Sequence, residues 1–238
     1  MSSTLCTICM RGGSQGIKNK NLRLINGKPL MYYTIKQAIK SKIFDKIVFS
    51  TDSKKIFKYA KACGAESWFL RPKRLANHKS SKVAAIRHAL IETEKYYGKK
   101  FNFIMDLDVT SPLRNVSDIV NAHKTFLKKK ADFLISGTNS KYNPYFNVFE
   151  IVNKKVKKVK ILRKKIIRRQ EAPITYNANA SIYMWKRENL VQSVIEPYTA
   201  FPRWNVIFYI MPENRSIDID SKFDFELVEF LLKKRKGW

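Results

Sequence analysis

Apolar runs and amphipathic stretches alternate through the first half of the chain, and that alternation predicts the class of fold. Leu5 to Met10 is a short apolar run that ends in a glycine-containing loop, and Pro29 to Ser41 then has the spacing of an amphipathic helix. Lys46 to Ser50 reads as a second buried strand, halted at Thr51-Asp52-Ser53, and Lys54 to Cys63 as a helix closed by Gly64. Ser67-Trp68-Phe69-Leu70 reads as a short third strand, and Ser80 to Tyr97 as a long helix ended by Gly98. Phe101 to Asp108 has the character of a central strand that runs into acidic and turn residues. Ser117 is placed to cap a helix reaching Lys130, with Asp118 in its first turn, and Phe133 to Ser136 is the next strand. Strands separated by helices predict an α/β fold with a mostly parallel, Rossmann-like central sheet. In open sheets of that kind the ligand sits beyond the carboxyl ends of the strands, which directs attention to the loops after Met10 and Leu107.

The rhythm breaks between about 143 and 178. Phe146 to Ile151 alternates over a short span, and Lys154 to Arg169 is a basic stretch in which Val156, Val159, Ile161 and Ile166 recur among Lys and Arg. This pattern suits exposed antiparallel hairpins better than a helix. Ser181 to Trp185 restores a core-like strand, Ile207 to Met211 supplies another, and Asp224 to Lys234 is a closing helix. No repeat or low-complexity linker interrupts the chain, so residues 1–238 are expected to form one domain with a small antiparallel excursion.

Composition narrows the class. Hydrophobic residues make up 45% of the 238, enough for a packed core, and no apolar run is long enough to span a bilayer. The apolar stretch from Leu5 is too short, and lacks the basic flank, for a signal peptide. Three cysteines make no disulfide framework, so a cytoplasmic setting is expected. Cys6 and Cys9 have Cys-x-x-Cys spacing but lie inside an apolar strand with no second pair, which reads as core rather than zinc ligation. The net charge of +28 admits a polyanionic partner such as RNA. The excess is spread along the chain as Lys, without an aromatic platform or a recognition helix, so a solvated basic surface is favoured and nucleic-acid binding is the runner-up.

The loop Arg11-Gly12-Gly13-Ser14-Gln15-Gly16, followed by Lys20-Asn21, is where chemistry first shows. Its glycines let backbone amides approach a triphosphate, and Arg11 suits a bidentate phosphate clamp. The loop has neither the Gly-Lys-Ser/Thr ending of a Walker loop nor the three spaced glycines of a dinucleotide loop. Taken alone, a tight surface turn explains Gly12, Gly13 and Gly16 equally well.

Its company decides the matter. The loop, Ser50-Thr51-Asp52, Arg71-Pro72, Thr110 to Arg114, Arg169-Gln170, Asn179 to Tyr183 and Asp218-Ile219-Asp220 occur in an order and spacing that resemble the acylneuraminate cytidylyltransferases. The resemblance spans nearly the whole chain. Asp106-Leu107-Asp108, Asn143 to Asn147 and Asn179-Ala180-Ser181 look most like bacterial members that activate legionaminic-acid-type nonulosonates. It implies a three-layer nucleotidyltransferase fold and transfer of CMP from CTP to the anomeric hydroxyl of a nonulosonic acid, with loss of pyrophosphate. It also implies Mg²⁺ held by Asp218 and Asp220, which sit two apart on an extended segment, and a homodimer built through the 143–178 arm. Nucleotide-contacting positions carried over are Arg11, Gly12, Gly13, Ser14, Gln15, Lys20, Asn21 and Arg71. Arg11, Lys20, Asp218 and Asp220 are the expected catalytic set. Sugar-contacting positions are Asp108, Arg169 and Tyr183, the last of which fits a core strand almost as well. Gln15 stands where the family usually has Lys, which leaves Lys18 or Lys82 to compensate, or Gln15 to donate a neutral hydrogen bond.

Overall fold

The computed structural model describes residues 3–14, 16–192 and 203–235. Strand β1 (Thr4–Cys9) sends its side chains alternately to two apolar layers: Cys6 and Ile8 join one, Leu5 and Cys9 the other. The Cys-x-x-Cys pair therefore points to opposite sides of the sheet, as an odd spacing on a strand requires.

A small antiparallel ribbon, β2 (Leu24–Ile25) with β3 (Lys28–Pro29), precedes helix α1 (Leu30–Ser41). Strand β4 (Lys46–Ser50) and helix α2 (Lys54–Ala62), capped by the Ser53 hydroxyl accepting from Ile56 N, form the second βα unit. Helix α3 (Lys82–Tyr97) is capped by Ser81 and stopped at Gly98, whose φ of 61° is the left-handed conformation glycine adopts freely. Strand β5 (Phe103–Leu107), helix α4 (Val116–Lys128), strand β6 (Phe133–Asn139), hairpin strands β7 (Phe149–Val152) and β8 (Lys155–Lys158), strand β9 (Tyr176–Lys186), helix α5 (Arg187–Gln192), strand β10 (Val206–Ile210) and helix α6 (Lys222–Lys234) complete the order.

The six-stranded sheet runs β10-β6-β9-β5-β1-β4. Neighbours pair in parallel except β9, which lies antiparallel between β5 and β6. Helices α1, α2, α4 and α6 bury their apolar faces on one side, and α3 and α5 on the other, which gives the three layers. The expected α/β class therefore holds.

Two local expectations are corrected. Ser67 to Leu70 forms no strand: only Glu66 bridges, to Val48, and Trp68 instead stacks on Tyr96 of α3 at 4.0 Å between centroids. An aromatic run that matches a strand in sequence has its rings taken by a helix. The cap of α4 is Asn115, not Ser117, and the Asp118 carboxylate accepts from Asn115 N at 2.8 Å. Asp118 is further held by a two-point contact from Arg215 at 2.9 Å, which ties the start of α4 to the segment before Asp218.

Between 143 and 178 one hairpin forms, β7 with β8, and the stretch beyond it is largely irregular with a short turn of helix at Arg169–Glu171. Asn143 is buried and closes the base of this excursion by donating to Pro173 O at 2.8 Å. Ile151 pairs across the hairpin with Val156, and these two are 77% and 69% exposed.

Candidate active site

The carboxyl ends of β1, β4 and β5 and the loops after them enclose a cavity of about 490 Å³. Sequence-predicted residues that line it are Arg11, Ser14, Gly16, Lys20, Asn21, Arg71, Asp108 and Asp220. Sites separated by most of the chain thus meet in one place.

The Gly-rich loop is held from three sides. Asp52, at the end of β4, accepts the Gly12 amide at 2.8 Å, so that N–H is already engaged by a carboxylate. Gly13 is exposed, with open space where a side chain would sit. Asn21 is buried and donates its side-chain amide to Arg11 O at 2.9 Å, which makes it a brace for the loop. A Cβ on Gly16 would lie 2.2 Å from Asp220 O, so the loop and the acidic segment touch backbone to backbone only because residue 16 has no side chain. Lys20 completes the junction, donating to Ile219 O at 2.5 Å and facing Asp220 Oδ1 at 3.5 Å. Gln15 lies outside the described residues.

Arg71 is buried, and its Nε and Nη2 donate to Ser50 Oγ at 3.0 Å and Ser50 O at 2.7 Å. It is a cavity-wall cation anchored to the end of β4. Arg11 is half-buried, with Nη1 at 3.5 Å from Asn77 O, across the cavity from its own loop. His78, Ser80 and Ser81, which the sequence left without a role, line the same wall.

Two carboxylate pairs with the same spacing lie at this end of the sheet. Asp106 is fully buried, accepts the Thr7 hydroxyl at 2.8 Å and faces Lys82 Nζ at 2.9 Å. Asp108 takes Lys82 Nζ at 2.6 Å and the Thr110 amide and hydroxyl at 3.1 and 3.0 Å. Burial pushes the Asp108 carboxyl up, but Lys82 and the Thr110 donors outweigh it and hold the group at about 2. Lys82 loses to desolvation and gains more from Asp106 and Asp108, which keep its ammonium protonated well above the usual range. Lys82 therefore sits on these carboxylates while also lining the cavity.

Asp218 and Asp220 are held differently. Asp218 Oδ1 is buried without a hydrogen-bond partner among the described residues. Its carboxyl is pushed up to about 6, first by desolvation and then by the charge of Asp108. Asp220 is exposed, with Lys20 as its ion-pair contact, and Ile219 N donates to Thr110 O at 3.0 Å to fix the segment beside the β5 loop. Hard carboxylate oxygens, one of them buried and unpartnered, suit Mg²⁺, which takes a carboxylate or two and completes its shell with water and phosphate.

Two expected sugar contacts lie elsewhere. Tyr183 is a core residue, 2% exposed, stacked with Phe133 and Trp185 and lying under Lys82, because β9 is central in the sheet and this face packs on α3. Arg169 is exposed on the excursion, donates to Ser140 O at 2.8 Å and does not line the cavity of its own chain.

Arg114, the last residue of the Thr110 to Arg114 motif, has a structural role. It is fully buried and donates to Ser181 O at 2.7 Å, Thr34 Oγ1 at 3.1 Å and Asp108 O at 3.3 Å, which sets the backbone of the β5 loop. Desolvation lowers its guanidinium to about 10, still a cation at neutral pH. Burial, followed by Asp106, lifts the Cys9 thiol at the cavity floor to about 12, so it stays protonated and unreactive. Nothing in the sequence flagged Lys82 as a partner of Asp106 and Asp108, because the pairing depends on where the first turn of α3 lands.

A strand-end cavity walled by cations, entered by a Gly-rich loop and closed by an under-neutralised carboxylate pair, defines a nucleotide-handling α/β enzyme. Residues 5–233 match the family model described as cytidylyltransferase, and the chain belongs to that family. It is 43% identical over 232 residues to the CMP-N,N'-diacetyllegionaminic acid synthase of Campylobacter jejuni, covering 98% of this chain and 96% of that one. It is likewise 43% identical over 235 residues to the post-translational flagellin modification protein B of Campylobacter coli, covering 99% and 97%. The N-acylneuraminate cytidylyltransferase of Escherichia coli is 30% identical over 242 residues, with 97% of this chain matching 52% of that longer protein. Among solved structures, CMP:2-keto-3-deoxy-manno-octonic acid synthetase complexed with CTP superposes with a TM-score of 0.66 at 14% identity, covering 98% and 99% of the two chains, which supports the fold. No described helix is long and apolar enough to cross a membrane.

Proposed function

We propose that this chain transfers CMP from CTP to the anomeric hydroxyl of a nonulosonic acid of the diacetyllegionaminic type. The observation that carries the reading is 43% identity, across nearly the full length of both chains, to an enzyme of that name. In the reaction the hydroxyl oxygen bonds to the α-phosphorus and gives up its proton to solvent, the bond to the bridging oxygen of the β-phosphate breaks, and pyrophosphate leaves with that electron pair. Negative charge shifts among phosphate oxygens, so positioned cations matter more than a covalent intermediate. Lys20 beside the loop, with Arg11 and Arg71, which also line the cavity, bind and orient the nucleotide and its triphosphate. Asp218 and Asp220 would hold Mg²⁺, which when bound neutralises phosphate charge beside the reacting centre. The brace from Asn21 and the Gly16 contact keep loop and acidic segment in register for both tasks.

The excursion is proposed as the dimer contact. A lone two-stranded hairpin is marginally stable in water, and this one carries exposed Phe149, Ile151 and Val156 on a single face. A second copy offers the same stripe, as a two-fold interface requires. In such a dimer Arg169, exposed on the same excursion, is proposed to serve the neighbouring cavity. Turnover in the cytoplasm, where CTP is made, fits this reading.

Incubation with CTP, Mg²⁺ and a panel of nonulosonic acids is expected to release pyrophosphate, fastest with diacetyllegionaminic acid. No release with any member of the panel would overturn the assignment.

A further inference from the structure

Asp108 keeps acceptor capacity beyond its contacts within the chain. An ionised carboxylate offers about four acceptor sites and no donor. Two, on Oδ1, are filled by the Thr110 amide and hydroxyl, and one, on Oδ2, by Lys82. The carboxylate lines the cavity with its side chain 19% exposed, so the remaining site on Oδ2 faces whatever enters. Lys82 is what makes this site rigid. Its ammonium is clamped between Asp108 Oδ2 at 2.6 Å, Asp106 Oδ2 at 2.9 Å and the ring face of Tyr183, 4.9 Å from the centroid. Asp106 is in turn fixed by Thr7, and the Asp108 carbonyl by Arg114. Asp108 is thereby a stationary, ionised acceptor.

We propose that Lys82 is a specificity-determining positioning residue, which fixes Asp108 as an acceptor-only reader of one N–H on the acceptor sugar, that of an acylamino group.

This deepens the proposed function and rests on it. Its place favours the acceptor over the base: Asp108 lines the cavity and its charge acts on Asp218, which the proposed function sets beside the reacting centre. A fixed acceptor also has a clear preference. An amide N–H is a directional donor, and a substituent with no donor leaves the buried carboxylate site unfilled. The sequence supplies the parts without their relation: Asp106 and Asp108 are two apart on one strand, and Lys82 starts a helix on another element.

The test uses the full chain with Mg²⁺ and CTP, and two nonulosonic acids that differ by an acetamido group against hydrogen at one ring carbon. Wild type is expected to favour the acetamido acceptor in kcat/KM by about tenfold or more. Lys82→Met is expected to raise the KM for that acceptor about tenfold while the KM for CTP stays within about twofold, with Lys82→Arg restoring part of the loss. Asp108→Asn leaves Lys82 its contact with Asp106, and is expected to remove the preference between the two acceptors; it carries the test alone if Lys82→Met does not fold. A rise in the KM for CTP with acceptor selectivity intact would overturn the proposal and give Asp108 to the nucleotide. Unchanged selectivity in Asp108→Asn would overturn it as well. Absence of any pyrophosphate from wild type would remove the proposed function, and this reader with it, a result distinct from an active enzyme whose selectivity does not move.

Discussion

Asp106 with Asp108 and Asp218 with Asp220 are the same residue type at the same spacing, set at the same end of the sheet, yet they are in opposite electrostatic conditions. The first pair is neutralised from within the chain: Lys82 bridges it, and Thr7 and Thr110 donate to it. The second is left short, with a buried Asp218 oxygen that has no partner among the described residues and an Asp220 that faces the cavity beside Lys20. Charge buried without compensation is costly, which is why the second pair is the one proposed above to receive an external cation. On that proposal the first pair shapes and the second receives.

The strongest way to break this contrast is to remove the receiving end. Asp220→Ala is expected to lower turnover by about 10²-fold or more while the circular dichroism spectrum is unchanged, since the side chain is exposed and outside the core. Retained turnover would take Asp220 out of the site. Next is Gly16→Ala, which puts a methyl group into Asp220 O and forces the loop from the acidic segment. A displacement on that scale is expected to cost on the order of 10²-fold in kcat/KM for CTP. Wild-type kinetics in this variant would show the backbone contact to be incidental.

A pH series sharpens the other half. The folded Asp108 carboxyl is depressed to about 2, below its unfolded value near 4, so its contribution to stability is complete above about pH 4 and is lost as pH falls toward 2. That shift corresponds to about 2 kcal/mol. Lys82→Met is expected to melt at lower temperature at neutral pH and to lose less on acidification than wild type. Parallel melting curves across pH 2 to 5 would count against Lys82 as the cause of the depression. The smallest catalytic effect is expected at the hairpin. Val156→Asp places charge on its exposed apolar face and should shift sedimentation from dimer to monomer at micromolar protein. A wild-type chain that sediments as a monomer would remove the dimer proposal.

Much of this was legible in the sequence, for identifiable reasons. The βα units with strong apolar runs and a clear stop, such as Lys46 to Gly64, appear as read because local pattern and tertiary packing agree there. Strand β9 was read only from Ser181, because Tyr176 to Ala180 is polar and small; its extension depends on pairing with Gly137 to Asn139 of β6 beyond a bulge. Gly137 permits that approach, since a Cβ there would lie 2.2 Å from Asn177 O. In the site, the motif residues Arg11, Lys20, Arg71, Asp108 and Asp220 do converge. What sequence could not give is which partner each side chain takes. Asn21 braces a loop, Asp52 occupies an amide of that loop, and Tyr183 belongs to the core. These assignments depend on long-range contacts that no local spacing encodes.

The central claim is that the cavity binds CTP with the help of a cation held by Asp218 and Asp220. Calorimetric titration of CTP, with UTP and GTP as competitors, in Mg²⁺ and again in EDTA, tests it most directly. The account predicts CTP binding that needs Mg²⁺, resists UTP and GTP, and is lost in the Asp218→Asn/Asp220→Asn double variant. Equal binding of UTP or GTP, or CTP binding untouched by the loss of both carboxylates, would contradict it.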